Sequence, residues 1–587
     1  MDPQAVVDHL VDAGVGRGST VALVVAPGRG LGLAWADRSL AIETAAPAAA
    51  VQAVEDAVAP RWAVWSAATA VALAADGVRL VKSWDAVAVH RLLFGGWRAD
   101  PGRIWARLHG LPTSEIPSAG PVDLFNQGDD DLDPEQPVRA DGHLKPDWID
   151  GGWAASPERM ARWAAVLLEV ARLQDAAVDE VAARSDRPMA RRTAFAESTA
   201  ELLCAELMTD GLPMDRSAME SLVSAYVGPR PQSEREAADL RSQRDEVVLQ
   251  HVPQGIRFDL RSPTQVKSML RVVGVEVPDT RAWRLEGLRD VHPLVDALLT
   301  WRKAERVQTT FGYAWLDENL GGDGRFRGEW SGSDGAAGRM TASAGLHNMP
   351  ADLRGGVVAE PGHVFIRADL GQIEPRVLAS VSGDGSLAAA TQADDLYAPV
   401  AVELGVDRAT AKVAVLGAMY GQTTGEGARA LVGLRRSYPV AMAYLDEADR
   451  AAQVGTDLRT YGGRLVRMGS AALGEPGQPG SMGEREARSR AAARGRYGRN
   501  AMVQGAAAEL FKVWAVTVRA RGRALDAHVV LCLHDELLVH VPTEHAADAA
   551  ALVDDALQEA AARWAPDRTV RFLAETSTIR TWAEAKA

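Results

Sequence analysis

Residues His363 to Asp369, HVFIRAD, form an apolar, β-rich run that ends in a carboxylate, and after Leu370 the chain continues Gly371-Gln-Ile-Glu-Pro-Arg376. The run has the character of a buried strand. A carboxylate at the end of such a strand needs a hydrogen-bond donor, a cation or a metal, because burial without a partner is costly. Two readings are open from the residues: Asp369 caps the turn that follows, or it serves as a ligand. Gln372 to Ser380 reads as a helix, with Pro375 acceptable only in its first turn. That places Asp369 at the strand end and Glu374 about one helical turn away.

Two later stretches carry related signals. In DRATAKVAVLGAMYGQTTGEGA, residues Arg408, Lys412, Leu416 and Tyr420 are each four apart. On a helix each such step climbs about 6 Å and drifts by about 40°, so the four share a broad face. Two cations on one face suit a polyphosphate, with Tyr420 left to meet a base or sugar; an ordinary exposed R-x3-K pair is the alternative. In VVLCLHDELLVHVP, Val529 to Leu533 and Leu537 to Val541 read as strands. His534, Asp535 and Glu536 then fall where a tight hairpin turn belongs, either as two carboxylates presented at a tip or as a plain surface turn.

The chain of 587 residues is too long for one core, which predicts several structural units. Its composition, 47% hydrophobic and 24% charged, is globular, and no apolar run is long enough to cross a bilayer. The opening MDPQAVVDHLVDAG lacks the basic-then-apolar order of a secretory signal, so a cytoplasmic location and no membrane partner are expected. Only Cys204 and Cys532 are present, which excludes a disulfide scaffold and any zinc site built on paired cysteines.

A net charge of −14 argues against a protein coated in nucleic acid, but not against a local basic groove. Arg485, Arg488, Arg490, Arg494, Arg496, Arg499, Lys512, Arg519, Arg521 and Arg523 could build one, or could simply be a solvated helix face.

Residues 20 to 90 alternate short apolar runs with Ala-rich stretches, the pattern of a small α/β unit. Gly110 to Gly152 is rich in Pro, Gly and Asp and reads as a long loop. A helix follows, with Ser156 as cap, Pro157 in its first turn, and Met160, Trp163, Leu167, Val170 and Leu173 at helical spacing. Thr193 to Glu305 reads as mostly helical, and Phe326 to Pro350 as irregular. No repeat of 20 to 50 residues is present.

Taken in order, the three chemical stretches resemble the polymerase motifs of family A DNA polymerases, the bacterial DNA polymerase I type. The family's D-Y-S-Q-I-E-L-R is similar to Asp369-Leu-Gly-Gln-Ile-Glu-Pro-Arg376, its R-x3-K-x3-F-x3-Y-G to Arg408 through Gly421, and its H-D-E to His534 through Glu536. RMTASAGLHNMP and RNAMVQGAAAELFK resemble two further family segments, and DGLPMD and FDLRSPTQV those that open and close its thumb. The likeness covers about residues 195 to 587.

The resemblance implies an α/β and α+β multidomain chain: an RNase H-like, exonuclease-type domain over 1–190, then a right-hand polymerase domain over 191–587. Within the latter the thumb would span about 195–320, the palm about 325–385 and 500–587, and the fingers about 386–499. It implies template-directed addition of deoxynucleotides to a primer 3′ end, with primer-template DNA and deoxynucleoside triphosphates as partners and two Mg²⁺ ions as cofactor, Mn²⁺ being a possible substitute.

Asp369, Asp535 and the Leu370 carbonyl would hold the metals, Glu536 would support the site, and Lys412 would act as the catalytic acid. Arg408, Lys412, Leu416, Tyr420, Gln372 and Glu374 would bind the nucleotide, and Arg339, Arg376, Asn500, Gln504 and His534 the primer-template. A monomer acting in repair or gap filling is expected, with any 5′-nuclease supplied separately.

Two departures from the family pattern bear on this. Leucine stands at 416 where an aromatic ring is expected, which gives up stacking on the incoming nucleotide. Pro375 replaces a leucine and is expected to push Glu374 out of helical geometry, which puts in question the family's exclusion of ribose by a glutamate and tyrosine at these positions. A polymerase that also inserts ribonucleotides, or a catalytically silent primer-template binder, are the alternative readings.

In the N-terminal unit the first strand, VALVVAPGRG, has no acid, Asp85 alone is a candidate for a mid-domain ligand, and no Y-x3-D closes the domain. An exonuclease centre would lack its metal ligands, so this domain is expected to be inactive.

Overall fold

The computed structural model describes residues 2–118, 133–184, 187–421, 427–469 and 484–586. Part of the Pro/Gly/Asp-rich passage lies outside those residues. The described chain divides into two compact units: Met1–Asp210 with Trp330–Thr341 and Ile366–Thr578, and Gly211–Glu329 with Ala342–Phe365 and Ile579–Ala587.

The first unit opens with a five-stranded mixed sheet in the order β3-β2-β1-β4-β5, where β1 is Thr20–Ala26, β2 Gly30–Trp35, β3 Arg38–Glu43, β4 Arg61–Val64 and β5 Ser83–Asp85. Strands β1 to β3 form an antiparallel meander and β4 and β5 run parallel to β1. Val21 to Val24 and Ala26 are buried, so β1 offers the core only apolar side chains. The helix Pro157–Ala182 starts as the sequence predicts, with the Ser156 side chain accepting from the Arg159 N–H.

The helix Ala190–Asp210 packs in this first unit. Ala190 and Ala194 join one apolar core of the N-terminal sheet, and Leu202 and Ala205 join the other.

The same unit contains most of a second sheet, in the order His528–Leu533, Glu536–Pro542, His363–Leu370, Ala574–Ile579. Behind it runs a 39-residue helix, Glu484–Gly522. Gly505 lets this helix approach the short strand pair Leu458–Arg459 and Leu465–Val466, for a Cβ there would sit 2.6 Å from the Thr460 methyl carbon.

Below Gly505 lies a knot of buried charge. The Lys512 ammonium donates to both Glu197 carboxylate oxygens at 2.6 Å, and Arg464 pairs with Glu197 at 2.5 Å. Burial pushes the Glu197 carboxyl up, but Arg464 and Lys512 outweigh it and hold it below the ordinary range. Glu509 accepts from the Thr460 hydroxyl and, at 2.8 Å, from the Gly462 N–H.

The second unit is helical: Arg216–Val227, Glu234–Leu249, Pro263–Val272 and Pro293–Thr310. Its core gathers Val248, Leu260, Val266, Met269, Leu270, Leu294 and Leu298 around Trp301. The breaks fall where VGPRPQ and RSPTQ predict them, the second because Ser262 caps a helix that opens on Pro263.

Glu509 is buried with its pKa pushed up to about 7, burial outweighing the opposing pull of Thr460, Arg464 and Gly462. The folded protein therefore holds this proton more tightly than the unfolded chain. Its contribution to stability is full below about pH 4.5, falls as pH rises towards 7, and levels beyond. Glu509→Gln is expected to raise the melting temperature relative to wild type more at pH 8 than at pH 5, as followed by circular dichroism.

Candidate active site

The register Leu533↔Glu536 closes the hairpin with a two-residue turn, His534-Asp535. His534 takes φ 57°, in the left-handed region that costs a non-glycine residue about 1 kcal/mol. Glu536 is thus not at the tip, as its place in the H-D-E triplet suggests, but is the first residue of a strand and is buried.

The His363–Leu370 strand lies beside that strand, and the Leu370 N–H donates to the Asp535 carbonyl at 3.0 Å. This bond joins the end of one segment to the hairpin tip of another 165 residues later. It brings Asp369 and Asp535 into one cavity of about 390 Å³.

Burial first, and the Asp535 charge second, push the Asp369 carboxyl up to about 6 against the pull of Arg367. Burial also raises Asp535. Two carboxylates that disfavour each other's ionised form, with the Asp369 side chain still 36% exposed, are a donor set suited to hard divalent cations.

Helix Ile373–Ser382 begins directly after Gln372, which takes φ 54°. Glu374 is inside this helix, not pushed out of it by Pro375. The proline sits in the first turn, where its missing N–H has no carbonyl to lose, and the break in backbone direction falls at Gln372 instead. Glu374 Oε2 accepts from the Tyr420 hydroxyl at 2.7 Å, and Oε1 from Arg339 at 3.2 Å. With its amide carbonyl turned toward Arg339, Gln504 accepts from the same guanidinium at 2.6 and 3.1 Å.

The four-residue spacing predicts a helix, and one runs from Arg408 to Tyr420, capped by Asp407 and ended by Gly421 at φ 69°. The QTTGE tail beyond Gly421, residues 422–426, lies outside the described residues. Lys412, Leu416 and Tyr420 line the cavity. Arg408 does not; its Nε donates to Asp395 at 2.5 Å. Asp395 Oδ1 in turn accepts from the Gln372 amide at 2.7 Å, and Gln372 Oε1 accepts from the Leu396 N–H at 2.8 Å.

From the long helix, Gln504, Ala507, Ala508 and Phe511 reach the cavity at i, i+3, i+4 and i+7. His534 lines it as well, while Asn500 is half-buried outside the lining.

Two expectations are corrected. Arg376, expected to touch the primer-template, is fully buried. Its guanidinium donates to the carbonyls of Gly371, Thr391, Arg571, Ala393 and Asp394 at 2.6 to 3.0 Å, so it staples loops rather than meeting a ligand. The basic run does not reach the surface at every position either, because three of its cations turn inward. Arg499 is buried and pairs with Asp446, Arg519 is buried and pairs with Glu206, and Lys512 is in the Glu197 knot.

Sequence reasoning passes over Tyr397, Phe511 and Arg367. Tyr397 and Phe511 line the cavity without belonging to any chemical pattern. Arg367 was legible, since two positions before Asp369 on a strand means the same face.

The profile of DNA polymerase family A matches residues 231–584. The chain belongs to DNA polymerase family A. It is 32% identical to DNA polymerase I of Chloroflexus aurantiacus over 304 residues, 46% of this chain and 31% of that protein. It is 26% identical to DNA polymerase I of Deinococcus radiodurans over 475 residues, 73% of this chain and 45% of that protein. The matches thus span less than half the length of these relatives.

In fold the chain is similar to the POL domain of Pol1 from M. smegmatis, solved in complex with DNA primer-template and dNTP. The TM-score is 0.70 at 21% identity, with both chains fully covered. Among the described residues of this family A chain, no helix is long and apolar enough to cross a membrane.

Removing the Arg376 side chain leaves several buried carbonyls without a donor. Arg376→Ala is expected to cost of order 3 kcal/mol of unfolding free energy, measured by denaturant titration.

Proposed function

We propose that this family A chain is a template-directed DNA polymerase that extends a primer 3′ end with deoxynucleotides and does not proofread. The observation that carries the reading is the meeting of Asp369 and Asp535, from distant segments, in one cavity with Lys412, Leu416 and Tyr420.

Asp369, Asp535 and the Leu370 carbonyl are the proposed ligands of two Mg²⁺ ions, with Mn²⁺ as a substitute. Such ions supply Lewis acidity to the primer hydroxyl and to the triphosphate. Glu536 supports the two aspartates from the neighbouring strand. Lys412 neutralises phosphate charge and gives its proton to pyrophosphate as that leaves. Arg408 assists on the phosphates after giving up Asp395.

Leu416 and Tyr420 form the wall for sugar and base, with Gln372 fixing the strand-to-helix turn below them. The hydrogen bond from Tyr420 to Glu374 supports a closed floor that excludes a 2′-hydroxyl, and so favours deoxynucleotides over the reading with relaxed sugar choice.

Arg339, Gln504 and His534, with Asn500 further along the helix, are the proposed primer-terminus contacts. Groups facing the minor groove can test pair shape almost independently of sequence. The second compact unit is the proposed thumb, the sheet bearing Asp369 the palm, and the helices from about 386 to 499 the fingers. The N-terminal sheet is the proposed inactive exonuclease-like domain, and action as a monomer in repair or gap filling completes the reading.

Primer extension with Mg²⁺ or Mn²⁺ tests it. Deoxynucleotides should extend the primer, ribonucleotides should do so far less, and Asp369→Ala should abolish extension; extension surviving in that variant would remove the site assignment. Leu416→Phe should lower the KM for deoxynucleotides severalfold by restoring a stacking surface. Labelled single-stranded DNA should remain intact in the same buffer.

A further inference from the structure

Arg367 precedes Asp369 by two residues on one strand, so both side chains leave the same face of the sheet. The arginine is 5% exposed. Its Nη2 donates to Asp369 Oδ2 at 2.5 Å and its Nε to Glu536 Oε1 at 2.8 Å. Asp369 is on the arginine's own strand and Glu536 on the neighbouring strand.

On the other side the strand Ala574–Ile579 carries Glu575, whose charge also acts on Arg367 and Asp369. Burial works against the charged guanidinium, but Glu536 and Asp369 more than compensate and hold it above the ordinary arginine range. One fixed positive charge is therefore built into the carboxylate cluster.

That placement has a chemical consequence. A carboxylate oxygen that already accepts a short, charge-assisted hydrogen bond is a poorer ligand. A unit positive charge a few ångströms away also opposes the approach of a divalent cation. The geometry points to Arg367 as a positioning residue that holds Asp369 and Glu536 together and competes with a divalent ion for Asp369 Oδ2. This rests on the reading of Asp369 and Asp535 as metal ligands.

The test is Mn²⁺ binding to the full chain without DNA or nucleotide, read from the electron paramagnetic resonance signal of free Mn²⁺. Arg367→Met should bind Mn²⁺ about three- to tenfold more tightly than wild type, because the opposing charge is gone. Arg367→Gln, which keeps an N–H donor without the charge, should do the same and serves if the methionine variant does not fold. Arg367→Lys, which keeps the charge, should stay within about twofold of wild type.

Natively folded neutral variants that bind Mn²⁺ no better than wild type would overturn the inference, as would a lysine variant as tight as they are. Asp369→Ala separates the two claims. If it leaves Mn²⁺ binding unchanged, the metal-site reading fails; if it removes binding while the neutral Arg367 variants match wild type, only the role of Arg367 fails. Simple structural damage would weaken binding, so tightening is the diagnostic result.

Discussion

Two half-buried carboxylates that repel each other have to be held within one cavity, and the hydrogen bond from the Leu370 N–H to the Asp535 carbonyl does the holding. It is a backbone bond, indifferent to side-chain protonation, and both segments are strands of one sheet, so neither aspartate can move away without breaking a ladder. The repulsion remains in the raised Asp369 pKa. Arg367 relieves part of it from the sheet side, and the cavity leaves the other side open to ligands.

The wall opposite the carboxylates is a single helix whose faces do different work. Gln504, Ala507, Ala508 and Phe511 face the cavity, while Glu509 and Lys512 enter the charge knot with Thr460, Glu197 and Arg464. Buried ion pairs are a weak source of net stability, because desolvation offsets most of their attraction. Their effect here is on alternatives: rotating the helix by one residue would strand Lys512 or Glu197 without a partner. The rotation that satisfies the knot is also the one that presents Gln504 to Arg339.

What the sequence made legible follows from periodicity. The strand ending at Asp369, the helix from Arg408 to Tyr420 and the hairpin around His534 all came from local patterns whose geometry needs no distant partner. The misreadings concern residues whose partners are far away in the chain. Arg376 sits in a motif that resembles a ligand-binding one, yet its acceptors are carbonyls from 371 to 571. Arg408 shares a helical face with Lys412 as the spacing predicts, and what the pattern does not show is its ion pair with Asp395, thirteen residues earlier. Glu374 stays in the helix, against the preference of a residue before proline, because Gln372 at φ 54° already takes the turn.

Asp85 and Asp369 show what decides between a structural and a chemical aspartate. Both end strands of a sheet in the same compact unit. Asp85 is 1% exposed; its Oδ1 accepts the Ala88 N–H at 2.8 Å, and its own N–H donates to Ser198 Oγ at 3.0 Å. Burial and the neighbouring Glu201 raise its pKa well above the ordinary value, and it caps the helix Ala86–Phe94. Asp369 caps nothing: no side chain caps the helix after it, its partner is a cation, and more than a third of its side chain is open. The Asp85 carboxylate is shut inside the core beside its N–H donor, whereas Asp369, paired with one arginine through one oxygen, keeps acceptor sites open in the cavity. Asp85 is thus engaged as the cap of the helix Ala86–Phe94, and the N-terminal sheet packs against the helix Ala190–Asp210, which carries Glu197 of the charge knot.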